Sequence, residues 1–349
     1  MDNRGSNKYY PWFDWLRLVL ATLVLLSHSV AHDKWPQVGD FAVKIFFALS
    51  GWLIGGILVK LPRRELPRFY FNRALRIWCP YFIALILLVA VSLLRDHVTT
   101  KWVEIVSYKA TFVYNLFGPR QLALYRSQMP LSGTGNHFWS VNAEEQFYLL
   151  APLLLVLMPR RFSQSLVLWG TVFLIAWWTH TYASIVLGVL AAVVAYTYPE
   201  LFQNRRHHVV SALAVLLLIC AMAAGVDYEL VSPFCALGIV LAFAVRGTRH
   251  SWGEMAGGMS YPLYLNAWIA VFFVNFFYKR VGLINPIMHE LLIIAFGFAL
   301  SAAMYWYIDR PLLALREKLY TATRARIVVI AAYSSVTIGI CIGLLLYWQ

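Results

Sequence analysis

Apolar runs of about 16–23 residues, the length that carries a helix across a bilayer, recur eleven times along the chain. They lie near residues 13–31, 40–59, 75–94, 138–158, 164–180, 182–198, 209–225, 230–246, 259–278, 287–307 and 326–347. This pattern predicts an all-α, polytopic transmembrane helical bundle of about 10–11 spans. Only Thr179 and His180 part the fifth and sixth runs, which predicts a tight helical hairpin. No internal repeat and no low-complexity stretch breaks the series. The longest polar interruption, about 95–137, opens with "KWVEIVSYKATFVYNLF", where aromatic residues mix with Lys and Glu. That stretch reads as a segment lying flat at the membrane interface. It ends in "LSGTGNH" at 131–137, which reads as a flexible polar approach to the fourth span. The loop as a whole is expected to be either a mobile lid over an outer cavity or a solvated connector.

Composition agrees with the pattern. The chain is 61% hydrophobic and only 13% charged, where soluble domains carry about 25% charged residues. Its 16% aromatic content fits interfacial belts of Trp and Tyr. The net charge of +13 is explained by topology rather than by nucleic-acid binding. With the N-terminus cytoplasmic, nineteen of the 29 Lys and Arg fall in inner segments and nine in outer ones, and Arg17 lies within the first span. That bias, and the parity of eleven spans, predict a cytoplasmic N-terminus. Residues 1–320 are expected to form a ten-span membrane domain, with 321–349 an additional C-terminal transmembrane helix. Arg4, Lys8 and "SVA" at 29–31 also have the elements of a signal peptide; cleavage there would leave ten spans and discard His28. The four cysteines form no C-x-x-C pair, so buried inert thiols are expected rather than a disulfide framework or metal site.

Polar residues inside apolar runs carry the chemistry. Arg17 and His28 are eleven residues apart, about three turns plus 20°, so they share one face of the first helix at depths differing by about 16 Å. An unpaired arginine in mid-span would cost about 2.5–3.5 kcal/mol. Arg17 therefore needs a polar interior or a partner, and Asp14 is one candidate. Arg73 and Arg76 are three apart at the inner end of the third span, a spacing that lets two guanidinium groups hold phosphates bidentately. Positive-inside anchoring is the plain alternative. Arg63, Arg64 and Arg68 could extend the patch. Ser140, Glu144 and Tyr148 stack four apart on one face of the fourth helix. Glu144 could orient His28 and raise its basicity, or pair with Arg17 as a structural device. Ser50 and Gly51 in the second span fit close helix packing, or the lining of a polar tunnel.

Several of these segments together resemble the acyltransferase 3 family of membrane O-acyltransferases. The family's R-x10-H signature is matched by Arg17 and His28. "FFALSGWLI" at 46–54, "FNRALRIWCPY" at 71–81 and "HFWSVNAEEQFYLLAPLLL" at 137–155 resemble further family segments in order. So do "SYPLYLNAW" at 260–268 and "YIDRPL" at 307–312. Asn142 is a polar insertion in that pattern, and Asp309 stands where Glu is usual. Asn266 and Ala267 occupy the place where many relatives carry a second histidine, so no role is carried over there. The chain ends on its eleventh span, and no soluble SGNH-type hydrolase domain of the kind fused to some members is expected.

The resemblance implies an acyl-CoA-dependent O-acyltransferase, in the multi-pass setting of a bacterial inner (cytoplasmic) membrane, moving an acyl group other than an amino-acyl group. Acetyl-CoA or another acyl-CoA would be the donor, held by Arg73 and Arg76, with no metal. The acceptor would be a hydroxyl of a lipid-linked or cell-surface glycan. His28 would act as general base, with Glu144 and Arg17 completing the catalytic group. Tyr148, Ser140, Arg17 or Asn142 would stabilise the oxyanion. His137 and Trp139 are further candidates for substrate contact. An acyl-His28 intermediate is an alternative scheme. Membrane lipids are the other expected partners; nucleic acid is not, and self-association is left open. Two other readings stay within reach of the residues: a small-molecule hydroxyl acceptor, or a transporter without transferase activity.

Overall fold

The computed structural model describes residues 9–28, 37–119, 122–202, 206–282 and 285–347. Their regular structure is entirely helical, and each of the eleven apolar runs is a helix. In chain order these are α1 (Pro11–Ser27), α2 (Val38–Leu58) and α3 (Leu66–Leu93); the amphipathic α4 (Thr100–Ala110) lies in the long loop. Then follow α5 (Phe138–Pro152), α6 (Leu166–Trp178), α7 (Ala183–Thr197), α8 (Arg206–Ala223) and α9 (Tyr228–Phe243). The last are α10 (Ser251–Val281), α11 (Pro286–Met304) and α12 (Ala322–Tyr347). Six helices among the described residues are long and apolar enough to cross a membrane. The chain is an all-α, multi-pass membrane protein.

Helix ends depart from hydropathy where polar residues continue a helix. α3 begins at Leu66 rather than near 75, because Pro67 in its first turn fixes the start and Arg68 and Arg73 extend it. α10 likewise begins at Ser251. The α6–α7 hairpin is as tight as expected, with His180 and Tyr182 both at positive φ. α5 runs past Pro152 into a π turn, Leu153–Leu157, and α11 into a second one, Tyr305–Asp309.

The chain divides into two compact units: Met1–Lys60 with Met158–Tyr305, and Leu61–Leu157 with Trp306–Gln349. The final helix α12 thus falls in the second unit, where it packs on α3. In the first unit the main seam is α2 against α7. A side chain at Gly51 would land on the Ile185 carbonyl, one at Gly188 on the Ala48 carbonyl, and one at Gly55 against Ala192. The backbones touch, which is the small-residue packing expected of Gly51.

In the second unit the long loop is packed rather than bare. α4 buries Trp102, Ile105, Tyr108 and Lys109. Asp96 accepts hydrogen bonds from the Leu131 amide at 2.6 Å and from Ser92 at 2.5 Å, tying both ends of the loop together. "LSGTGNH" is therefore not a flexible approach: Leu131 is buried, and Leu131 and Ser132 take left-handed φ of 46° and 53°. Its local composition could not reveal an anchor 35 residues upstream. The cysteines are free, as expected, but Cys220 and Cys341 are exposed rather than buried.

Candidate active site

Helix α1 carries two of the predicted residues, Arg17 and His28. Asp14 sits in its first turn, where a carboxylate opposes the positive end of the helix dipole. It pairs with Arg17 at 3.1 Å and accepts the Tyr9 hydroxyl. Gly257 of α10 leaves the room for it, since a side chain there would strike the Asp14 carboxylate. The arginine in an apolar helix is thus answered by an ion pair one turn away.

His28 caps the far end of α1 and is exposed. Its Nδ1 lies 2.7 Å from the Val24 carbonyl and 3.3 Å from Ser27 Oγ. A carbonyl only accepts, so in the neutral ring Nδ1 holds the hydrogen and the lone pair sits on Nε2. Nε2 is then the basic nitrogen of the ring. His32 and the "SVA" at 29–31 lie outside the described residues, as do Arg4 and Lys8. A cavity of about 190 Å³ in the first unit is lined by Tyr10, Trp52, Phe202, His207 and Arg246 with Ala195, Pro199 and Ala244.

The remaining predicted residues lie in the second unit. Glu144 accepts the hydroxyl of Tyr148 one turn along α5, as the four-residue spacing predicts. The Arg73 guanidinium stands over the Tyr148 ring, 5.5 Å from its centroid, and over Phe69 at 5.8 Å. Arg73, Tyr148 and Glu144 therefore form one charge-coupled cluster between α3 and α5. Arg76, one turn on, is exposed. Of the neighbouring arginines, Arg63 donates to the Val156 and Leu157 carbonyls, left open by the π turn, and Arg68 pairs with Glu317 at 2.5 Å. Both arginines are thus engaged by partners within the second unit.

Other candidates are engaged in holding the fold. Asn142 is fully buried; its oxygen accepts from the Tyr114 amide at 3.0 Å and its nitrogen donates to Tyr81 at 2.7 Å. Ser140 donates to the His137 carbonyl at 3.1 Å, and His137 is buried at the start of α5. Trp139 packs against the cluster of Ile105, Tyr108, Val113 and Met129. Glu145, which the sequence left without a role, is 3% exposed and accepts the Trp78 indole N–H at 2.7 Å, with its second oxygen unpartnered. Asn266, at the place of the relatives' histidine, donates to the Pro262 carbonyl of its own helix. Among the described residues no three His, Cys, Asp or Glu side chains converge as a metal would need.

A family profile described as "Acyltransferase domain" matches residues 10–306. The peptidoglycan O-acetyltransferase OatA of Listeria monocytogenes is 29% identical over 158 residues, covering 44% of this chain and 25% of that protein. The O-acetyltransferase OatA of Staphylococcus aureus is 26% identical over 168 residues, covering 47% of this chain and 27% of that protein. The match thus spans about a quarter of the length of these relatives. No solved structure matches the chain.

Proposed function

The chain belongs to the acyltransferase 3 family, and from that premise we propose that it is a membrane O-acetyltransferase acting on a glycan hydroxyl in a bacterial inner membrane. The relatives' names supply the acetyl group and the glycan. The donor is acetyl-CoA from the cytoplasm, its phosphates met by Arg73 and Arg76. The acceptor hydroxyl gives its proton to Nε2 of His28 as its oxygen attacks the thioester carbonyl. The tetrahedral intermediate then expels the thiolate, which takes up the proton, leaving an O-acetyl ester and free CoA. The single O–H of Tyr148 is given to Glu144, so Tyr148 is a donor to the oxyanion only once that bond is released. Ser140 and Asn142 serve the scaffold, since their polar atoms hold other parts of the chain.

The observation that carries this reading is the hydrogen bond of His28 Nδ1 to the Val24 carbonyl, which leaves the basic lone pair on Nε2. The test is turnover of radiolabelled acetyl-CoA by the purified full chain in liposomes. His28→Ala should lower it by about 10²-fold or more, and equal rates in variant and wild type would overturn the proposal. Glu144→Gln should lower turnover at normal expression, and Arg73→Ala with Arg76→Ala should raise the KM for acetyl-CoA.

A further inference from the structure

None of the residues assigned to the chemistry above lines the cavity at the Tyr10 end of the first unit. We propose that it binds the base and phosphate of a nucleotide, for which ADP is the probe. This goes beyond the transfer reading and stands without it.

The walls are aromatic. Trp52 of α2 lies 5.5 Å from Phe202, ring centroid to centroid, and Phe202 lies 5.6 Å from His207 with its ring turned by 62°. Three rings thus form an inner corner, and the small side chains of Ala195, Pro199 and Ala244 leave the space in front of it open. Flat faces of this kind stack on a base without regard to its hydrogen-bonding edge. Size narrows the choice. About 190 Å³ falls below the roughly 300–1,000 Å³ of whole small-molecule sites. It admits one ring system with its charged group at the mouth, not an entire coenzyme.

Charge gives the rest. Among the described residues Arg246 and His207 line the cavity, and no carboxylate does. Arg249 is paired with Glu254 at 3.4 Å, whereas Arg246 is exposed and makes no ion pair among the described residues. An exposed guanidinium beside aromatic walls suits a phosphate. The chain builds this corner from one end of the unit. Tyr10 precedes α1, Trp52 and Ala195 lie in the last turns of α2 and α7, His207 opens α8, and Ala244 and Arg246 follow α9. His28 lies at the other end of α1, about 25 Å away along the helix.

The experiment is binding of a fluorescent N-methylanthraniloyl-ADP to the full chain in detergent. ADP and CoA should displace it, and pantetheine, which lacks the nucleotide, should not. Arg246→Ala should weaken binding at least tenfold. Ala195→Phe, which fills the cavity and removes no hydrogen bond, should abolish binding at an unchanged Tm. Unaltered binding in both variants would overturn the proposal, as would displacement by phosphatidylglycerol micelles in place of ADP, which marks a lipid headgroup site. If Arg246→Ala also raises the KM for acetyl-CoA, the nucleotide is the donor's own; an unchanged KM identifies a free nucleotide. His28→Ala should leave nucleotide binding intact, so the two proposals fail separately.

Discussion

The first unit and the second join their helices by different means. In the first, α2 and α7 meet backbone to backbone through Gly51, Gly55 and Gly188. In the second, side-chain amides and hydroxyls cross between α3, α5 and the packed loop. Asn142 reaches Tyr81 and the Tyr114 amide, Gln146 reaches the Phe112 carbonyl and Asn115, and Lys109 reaches the Gly135 carbonyl. Within a bilayer the hydrophobic effect does not drive helices together, so close van der Waals packing and interhelical hydrogen bonds remain. Polar bonds also join helices in the first unit, such as Lys44 to Glu229 and Ser232, but the α2–α7 seam is close backbone packing. The catalytic candidates follow the same division: α1 offers a base and an ion pair on a plain helix, whereas α5 offers Glu144 and Tyr148 from within a polar network.

Substitutions can break this contrast. The largest effect is expected from Gly188→Leu, whose side chain has only backbone to meet. Overpacking at such a place costs about 3 kcal/mol or more, and size-exclusion of the solubilised protein should show aggregate in place of a single peak. Next is Asn142→Leu, which strands the Tyr114 amide in the interior. A drop of about 1–3 kcal/mol per orphaned group is expected in denaturant melts; wild-type stability would return Asn142 to the list of substrate contacts.

Lys109 sharpens the contrast through pH. Its amine is fully buried, and burial pushes its pKa from 10.5 down to about 7. Between those values the unfolded chain binds the proton and the folded chain does not, so stability should rise with pH across that window. Below about pH 7 the folded state carries the charge and the full penalty remains. Lys109→Met should flatten the rise in Tm between pH 7 and 10; a slope like the wild type's would place the titrating group elsewhere. The smallest effect is expected from Asp14→Asn, which keeps an acceptor for Tyr9 and removes the ion pair with Arg17. A loss of about 0.6 kcal/mol is typical of a polar contact within a bundle, to be read from Tm at high and low salt.

Much of this was legible in the order of apolar runs. Eleven runs gave eleven helices, because span length and backbone satisfaction in lipid leave little choice. The Asp14–Arg17 pair and the Glu144–Tyr148 bond could be read from helical spacing alone. What stayed hidden depends on partners distant in the chain. Asn142 looks like a site residue until Tyr81 and Tyr114 are seen beside it, 61 and 28 residues away. Arg63 looks like part of a basic patch until the carbonyls of the π turn appear next to it, 93 and 94 residues on. The corner of Trp52, Phe202 and His207 has no motif, since Trp52 lies 150 residues before Phe202.

The α2–α7 contact has a mechanical meaning. Where side chains intervene, a rotamer change can make way for a guest; where two main chains touch, nothing is left to swing aside. That pair is a fixed post. Any local opening must be borne by more loosely seated pieces, such as α8, which buries none of its residues.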